Sequence, residues 1–321
     1  MRSKDEEWIT VSILFPGRTL YARVWVSNVG RNKLYLLDTD FEKNSDIDRA
    51  ITSQLYGGDN ENRLKQEMLL GIGSIRLINQ LGLKPDIYHC NEGHAAFTGL
   101  ERLRVLRTKR SLTFPEALVI IRSSTLFTTH TPVPAGHDTF DEDLLRIYLA
   151  HYPEELKISW GDLMNLGKAN AADIKFSMSY LAATLSQYIN GVSWLHGEVT
   201  KKMFNKLWDG FFPEESPIGY VTNGVHYASW TAKAWKRLHE EVFGNEFLDD
   251  MSDKSLWAKI YDVDDAVIWR IRQSQRRKLV EYVKKRVHAN WIRRYENPKD
   301  TMKVINNVNE NTLTIGFARR F

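Results

Sequence analysis

Three short runs of β-prone apolar residues in this chain each end in a polar loop that carries histidine. These segments are 86–94, 126–137 and 218–226. Helix-like patterns at 62–81 and 95–107 alternate with the first runs, which is typical of a parallel sheet built from β-α-β units. Because the carboxyl ends of parallel strands lie along one edge of a sheet, the loops are predicted to share a candidate site there.

The loops offer hydrogen-bonding groups rather than a field of charge. Glu92 is the only carboxylate close beside the first histidine pair. The other polar groups are neutral donors and acceptors: Asn91, Thr128, Thr129, Thr222 and Asn223. Such groups recognise hydroxyls. The loops therefore predict a neutral, hydroxyl-rich ligand such as a sugar.

His130 is the strongest single candidate. Pro132 and Pro134 follow it closely and restrict the backbone, which favours a histidine that is held for a ligand. His89, Cys90 and His94 match no closed zinc spacing, so no metal is expected.

Composition excludes several classes of protein. The 321 residues carry a net charge of +4 and a single cysteine, and the first residues lack the apolar core of a signal peptide. No apolar stretch approaches the ~20 residues that span a bilayer. We expect a cytoplasmic protein with no membrane association. The basic stretch 270–294 has helical spacing and reads as a solvated helix face, so nucleic acid is not an expected partner.

Further elements follow from periodicity. Residues 8–38 predict a β meander, and Gly82 is predicted to end the helix over 62–81. We predict a strand over 117–127. Residues 172–207 predict one long helix or a close pair, interrupted at 190–191, and a last helical region spans 252–295.

The C-terminal residues 312–317 have the composition of a buried parallel strand, yet the sequence stops at Phe321. A parallel strand needs a neighbour and covering helices. The expectation is that this chain is a fragment of a longer protein.

At the histidine loops the sequence resembles the α-glucan (glycogen, starch and maltodextrin) phosphorylase family, in particular its shorter bacterial and archaeal branch. Eight short motifs occur in order and carry the resemblance: 36–40 (LLDTD), 55–58 (LYGG), 63–67 (RLKQE), 91–97 (NEGHAAF), 127–136 (FTTHTPVPAG), 190–196 (NGVSWLH), 221–225 (VTNGV) and 316–321 (GFARRF).

The resemblance implies a two-lobed GT-B architecture with Rossmann-like lobes. Residues 1–224 would be the N-terminal glucan-binding and catalytic lobe, incomplete at its start, and 225–321 the beginning of a C-terminal lobe truncated after its first strand. In the family, inorganic phosphate attacks the terminal glucose of an α-1,4-glucan and releases glucose 1-phosphate. The cofactor is pyridoxal phosphate, whose own phosphate takes part in proton transfer.

The resemblance also implies roles for five residues. His130 matches the histidine that contacts the transferred glucose, and Asn223 matches an asparagine that hydrogen-bonds it. Glu92 and His94 match the loop on the acceptor side of the cleft. Arg320 matches an arginine that binds the substrate phosphate, which suits a guanidinium fork. His196 is expected to lie outside the site.

The chain departs from the family pattern in three respects: it lacks the segment with the cofactor-bearing lysine, the lysine that follows the Arg-Arg pair, and a glycine-rich phosphate loop upstream. The cofactor-bearing lysine of the family lies in a segment that this sequence does not contain, so the isolated chain is expected to be inactive. The alternatives are a nucleotide-sugar GT-B glycosyltransferase such as a glycogen synthase, and a non-catalytic glucan-binding module. Assembly as a homo-oligomer stays open.

Overall fold

The chain forms two compact units, Met1–Asn223 and Gly224–Phe321. The computed structural model describes residues 1, 7–55, 57–170, 173–294 and 297–317. All the described strands lie in the first unit.

The predicted β meander is confirmed. Strands β1 (Thr10–Phe15), β2 (Arg18–Val29) and β3 (Asn32–Asp38) form an antiparallel sheet in sequence order. The two turns use Gly17 and Gly30 at φ of +67° and +59°, which glycine adopts without a Cβ clash. One face of β2 is buried against the core, and its members are Leu20, Ala22 and Val24.

A helical segment follows the meander, as the apolar spacing predicts. After α1 (Asp46–Arg49), helices α2 (Asn60–Met68) and α3 (Ser74–Gln80) are joined by a π-helical turn at Leu69–Gly73. Gly71 lies in that turn, where an added Cβ would stand 2.6 Å from the Cβ of Phe97. Because Gly71 has no side chain, the segment that contains Phe97 can pack closely on this turn. Gly82, at φ +66°, follows the helix end as expected.

The central element is a parallel sheet in the order β4-β5-β8-β9, and it confirms the mixed α/β prediction. Its strands are β4 (Tyr88–Asn91), β5 (Thr125–Thr128), β8 (Tyr188–Gly191) and β9 (Ile218–Tyr220). A two-stranded antiparallel pair, β6 (Thr139–Phe140) and β7 (Phe176–Ser177), lies between β5 and β8 in the sequence. The remaining helices of this unit are α4 (Phe97–Arg110), α5 (Phe114–Ser123), α6 (Glu142–Leu149), α7 (Tyr152–Leu156), α8 (Trp160–Asn165), α9 (Met178–Thr184) and α10 (Trp194–Phe204).

The strand predicted over 117–127 is wrong in its first part, because α5 occupies Phe114–Ser123 and only Thr125–Thr128 is strand. The Glu116 carboxylate accepts hydrogen bonds from the backbone N–H of Thr113, at 2.7 Å, and from its hydroxyl, at 2.6 Å. This contact, with Pro115 in the first turn, starts a helix ahead of the apolar run.

The long helix or helix pair predicted over 172–207 is also wrong. Helix α9 ends at Thr184, strand β8 crosses the middle of the sheet, and α10 begins at Trp194. Residues 190–191, interpreted as a helix break, are the last two residues of that strand. Tertiary pairing with β5 and β9 overrides the local helical pattern here.

The second unit is helical in its described residues. It contains α11 (Tyr227–Trp230), α12 (Lys233–Phe243), α13 (Lys254–Ala258), α14 (Asp265–Arg294) and α15 (Pro298–Asn307). Helices α13 and α14 confirm the helical region predicted from 252, while its last residue, Tyr295, lies outside the described residues. The strand predicted at 312–317 is not formed: residues 313–317 have no strand pairing, and Phe317 is 83% exposed.

The longest described helix, α14, carries the basic stretch 270–294 and is mostly exposed. No helix in the described part of the chain combines the length and apolar character that crossing a membrane requires.

A buried carboxylate joins three helices of the first unit. Glu101, on α4, is fully buried. It accepts hydrogen bonds from Arg76 Nε at 2.9 Å, Arg104 Nε at 2.7 Å and Tyr152 Oη at 2.7 Å. Burial opposes ionisation of Glu101, but the bond from Arg104 and the charges of both arginines outweigh it and hold the pKa below its usual value.

We expect Glu101→Ala to destabilise the first unit strongly, because it leaves two guanidinium groups without their shared partner. The expected loss of unfolding free energy is roughly 3–5 kcal/mol, measured by urea denaturation. Glu155→Gln is the matched control, since Glu155 binds Arg104 from a position that is 31% exposed, and it should cost no more than about 1 kcal/mol. Equal losses for the two variants would contradict this account.

Candidate functional site

The three histidine loops each begin at the carboxyl end of a strand of the parallel sheet, which confirms that they start along one edge. Backbone hydrogen bonds continue past the strand ends. The N–H of Glu92 donates to Thr128 O at 2.8 Å, and the N–H of Thr129 donates to Asn190 O at 3.1 Å. The N–H of Asn223 donates to Val192 O at 3.0 Å. The loop after each strand is therefore tied to its neighbour.

His130 is exposed at this edge, and its ring is held by one contact. Its Nε2 lies 2.6 Å from Oδ1 of Asn91, at the end of the neighbouring strand β4. An amide oxygen only accepts, so Nε2 carries the proton and donates. In the described part of the chain the hydrogen bonds of the ring end there, which leaves Nδ1 able to accept a hydroxyl proton.

Glu92 contacts the backbone of His130, and its side chain is almost buried, at 9% exposed. Its Oε1 accepts hydrogen bonds from the backbone N–H of His130 and from the Thr131 hydroxyl at 3.0 Å, while Oε2 accepts one from the Thr129 hydroxyl at 3.4 Å. The carboxylate is thus directed at the His130 loop.

A second layer of hydrogen bonds crosses three strands. His89 Nε2 donates to the Thr128 hydroxyl at 2.7 Å, and that hydroxyl donates to Oδ1 of Asn190 at 3.0 Å. Sequence reasoning missed Asn190, which it placed in a helix junction. Assigning 188–191 as a strand of the same sheet would have placed Asn190 beside the His130 loop.

Two other histidines hold loops. His137 Nδ1 lies 2.6 Å from the Ser179 hydroxyl and its Nε2 lies 3.2 Å from Thr131 O, so the far end of the His130 loop is also fixed. Burial lowers the pKa of His137. His196 is buried, and its Nδ1 accepts the N–H of Val192 at 3.3 Å.

His94 belongs to a cluster of four charged groups. Its Nδ1 lies 2.6 Å from Arg63 Nη2, 2.9 Å from Asp138 Oδ2 and 3.5 Å from Glu67 Oε1. Arg63 also contacts Asp138 at 2.9 Å and Glu67 at 3.1 Å. The cluster joins helix α2 to the first and second histidine loops.

The cluster shifts the pKa of its members in opposite directions. The hydrogen bonds to Asp138 and Glu67 raise the pKa of His94 to about 9. Burial raises the pKa of Glu67 to about 7. Burial also disfavours ionisation of Asp138, but the hydrogen bonds from His94 and Arg63 outweigh it and lower the pKa of that carboxyl strongly.

Ligand atoms of Glu67, His94 and Asp138 all lie within 4.8 Å of one another, a spacing that a metal ion could use. The guanidinium of Arg63 already lies within 3.1 Å of all three. A second cation there would be repelled by Arg63, so the geometry supports an ion-pair network in its own right.

Of the five candidate site residues, the structure brings Glu92 and His130 into direct contact. His94 lies in the adjoining cluster and lines a cleft of about 390 Å³. Other residues lining that cleft are Tyr35, Leu37, Gln54, Leu55, Arg63 and Gln66. Asn223 is exposed at the end of the third loop. Arg320 lies outside the described residues.

The fold is a mixed α/β fold with hydrogen-bonding loops at the carboxyl edge of a parallel sheet, and comparison with known proteins supplies the family. A sequence model of the carbohydrate phosphorylase family matches residues 38–294. The chain belongs to this family.

The chain is similar along most of its length to curated phosphorylases. It is 42% identical to a glycogen phosphorylase of Mycobacterium tuberculosis, over 94% of this chain and 36% of that protein. It is 38% identical to a maltodextrin phosphorylase of Thermococcus litoralis, over 98% and 36% respectively. A glycogen phosphorylase of Aquifex aeolicus is 34% identical over 99% of this chain and 45% of its own length. The chain thus spans between a third and a half of the length of these relatives.

The His94 cluster predicts a pH dependence of stability. In the folded chain Glu67 keeps its proton up to pH about 7 and His94 up to about 9, whereas their ordinary pKa values are 4.5 and 6.5. Because the folded state then binds more protons than the unfolded state, the unfolding free energy should fall as the pH rises from 5 to 9.

We expect Glu67→Gln to make that fall shallower by roughly 1–3 kcal/mol, since an amide does not titrate and supports the His94 charge less. Urea denaturation at pH 5, 7 and 9 measures it. Glu61→Gln, on the same helix, is the control: bonds from Tyr148 and Lys65 lower the pKa of Glu61, so its titration lies below this range. Identical slopes for wild type and Glu67→Gln would show that the cluster does not hold these protons.

Proposed function

We propose that this chain supplies the glucan-facing part of the active site of an α-1,4-glucan phosphorylase, which moves a terminal glucosyl unit onto inorganic phosphate and releases glucose 1-phosphate. The observation that carries the proposal is the exposed imidazole of His130, whose Nε2 is held by Asn91 at the carboxyl edge of the sheet. Family membership and the names of the relatives, glycogen phosphorylase and maltodextrin phosphorylase, support the reaction class.

His130 and Asn223 are the proposed glucosyl contacts. A neutral imidazole nitrogen accepts a hydroxyl proton, and an exposed amide both donates and accepts, so together they suit a pyranose with several hydroxyls. Such contacts contribute to catalysis where they tighten as the glucosyl carbon gains positive character in the transition state.

The acceptor side of the glucan is proposed to lie toward His94. The cleft beside it combines apolar walls from Tyr35, Leu37 and Leu55 with hydrogen-bonding groups of Gln54 and Gln66. Apolar and amide surfaces of this kind match the two faces of a sugar ring. Glu92 is proposed to belong to this side as well, through the loop that it shares with His94.

Pyridoxal phosphate is the proposed cofactor of the whole enzyme, and its phosphate would supply proton transfer. The loops at the sheet edge, 91–95, 128–138, 191–193 and 221–226, contain no lysine. These loops therefore do not fit a covalent attachment, and the cofactor would be held elsewhere in the enzyme. Arg320 is the proposed contact to the substrate phosphate, and the cytoplasm the proposed location.

Two other functions compete with this proposal. A nucleotide-sugar glycosyltransferase such as a glycogen synthase would share the layout, but the family match over 38–294 favours phosphorylase. A non-catalytic glucan-binding module would need the same sugar contacts without turnover. Kinetics of the complete protein distinguish the two roles.

We expect the chain to bind maltoheptaose through His130. His130→Ala should weaken binding by roughly 5- to 30-fold, the equivalent of one or two hydrogen bonds, measured by isothermal titration calorimetry. His288→Ala, an exposed histidine of α14, is the control and should bind as wild type does. Unchanged affinity of His130→Ala would remove His130 from the glucosyl contacts.

In the complete protein, the same substitution should lower kcat and kcat/KM together, by roughly 10- to 1000-fold, because the lost contact is strongest in the transition state.

The isolated chain should catalyse no phosphorolysis of maltodextrin. It should also form no borohydride-trappable link to pyridoxal phosphate. One stoichiometrically labelled lysine in this chain would contradict the proposed division of the active site.

A further inference from the structure

We infer that Glu92 is a positioning residue, whose buried carboxylate sets the backbone of the His130 loop in the conformation that receives the sugar. The inference rests on the proposed function for the identity of the ligand, whereas the positioning itself rests on geometry. In this inference, Glu92 influences sugar binding by positioning His130.

The backbone of Glu92 is the first observation. Its φ is +64° and its ψ is 173°, a region that residues with a Cβ rarely occupy. The residues on either side are both fixed by packing or pairing. Asn91 ends strand β4, and Gly93 packs so closely on helix α9 that a Cβ there would lie 2.9 Å from the backbone nitrogen of Ser179.

The second observation is the set of hydrogen bonds that the Glu92 carboxylate accepts. The carboxylate receives the backbone N–H of His130 and the hydroxyls of Thr129 and Thr131, which are three consecutive residues of the neighbouring loop. In the described part of the chain no basic side chain pairs with it. The loop itself supplies the partners of the carboxylate, and losing both carboxylate oxygens would release all three residues.

Asn91 and Glu92 hold different parts of His130. The amide of Asn91 fixes the ring through Nε2, and the carboxylate of Glu92 fixes the main chain beneath it. The side chains of Asn91 and Glu92, which are adjacent at the end of β4, thus hold the ring and the backbone of His130 in the loop after β5. Because His130 is exposed, few packing contacts could replace this control.

The effect of the backbone strain at Glu92 can be separated by mutation from the effect of its carboxylate hydrogen bonds. Glycine adopts positive φ without a Cβ clash, so Glu92→Gly relieves the backbone and removes the carboxylate in one step. Glu92→Gln keeps the length and a single acceptor oxygen but loses the charge. Lys157→Gly is the matched control, since Lys157 has a φ of +52° at the end of α7, where its backbone alone is relieved.

In the full chain we expect amide hydrogen exchange at His130, measured by NMR, to be at least 10-fold faster in Glu92→Gly than in wild type. Glu92→Gln should fall between them, and Lys157→Gly should match wild type. The imidazole resonances of His130 should shift or broaden in the Glu92 variants alone. The melting temperature of Glu92→Gly should stay near that of wild type, because relieved strain offsets the lost hydrogen bonds.

Wild-type exchange at His130 in Glu92→Gly, with unchanged imidazole resonances, would overturn the inference. Faster exchange throughout the sheet would also overturn it, since Glu92 would then be a general structural residue. Binding of maltoheptaose is a separate measurement. If wild type fails to bind it, the proposed function fails while the exchange result still decides the positioning role. If wild type binds it, Glu92→Gly should weaken binding at least 5-fold, with partial recovery in Glu92→Gln.

Discussion

Parallel pairing of four short strands is the constraint on which the rest of the first unit depends. Strands β4, β5, β8 and β9 pair over only three or four residues each, and their carboxyl ends lie level. Short strands leave much of the sheet edge to loops, whose backbone groups need partners. The loops satisfy this need by bonding to one another, and the same bonds bring the polar side chains together.

Two buried glutamates show how surroundings decide the state of one chemical group. Glu101 and Glu67 are both almost inaccessible to water. Glu101 has two guanidinium groups and a tyrosine hydroxyl directed at it, so its pKa falls despite burial. Glu67 shares Arg63 with a second carboxylate, Asp138, and burial prevails, so its pKa rises to about 7. Glu101 is therefore expected to stabilise the helix layer at neutral pH, whereas Glu67 is expected to make the stability of its cluster depend on pH.

Much of the fold and part of the site could be predicted from the sequence. Alternation and turn glycines gave the meander, and the apolar spacing gave the helix over 62–81, because both signals are local. The strand predicted at 117–127 was wrong in its first part, and the long helix or helix pair predicted at 172–207 was wrong, because a buried strand and a buried helix have similar apolar runs. Pairing partners decided between them. For the same reason Asn190 escaped detection, since its contact to Thr128 joins residues far apart in the chain.

The prediction that the loops offer hydrogen bonds rather than a field of charge holds at the exposed layer and fails one layer deeper. His130 and Asn223, which are exposed, offer hydrogen-bonding groups of the kind that hydroxyls require. Beneath them, Glu92 holds the His130 backbone, and Asp138 with Arg63 holds His94. Charge is useful where it is buried, because a hydrogen bond to an ionised group resists loop motion more strongly than a neutral one. The exposed groups of the His130 loop are thus positioned by a carboxylate that is itself almost buried.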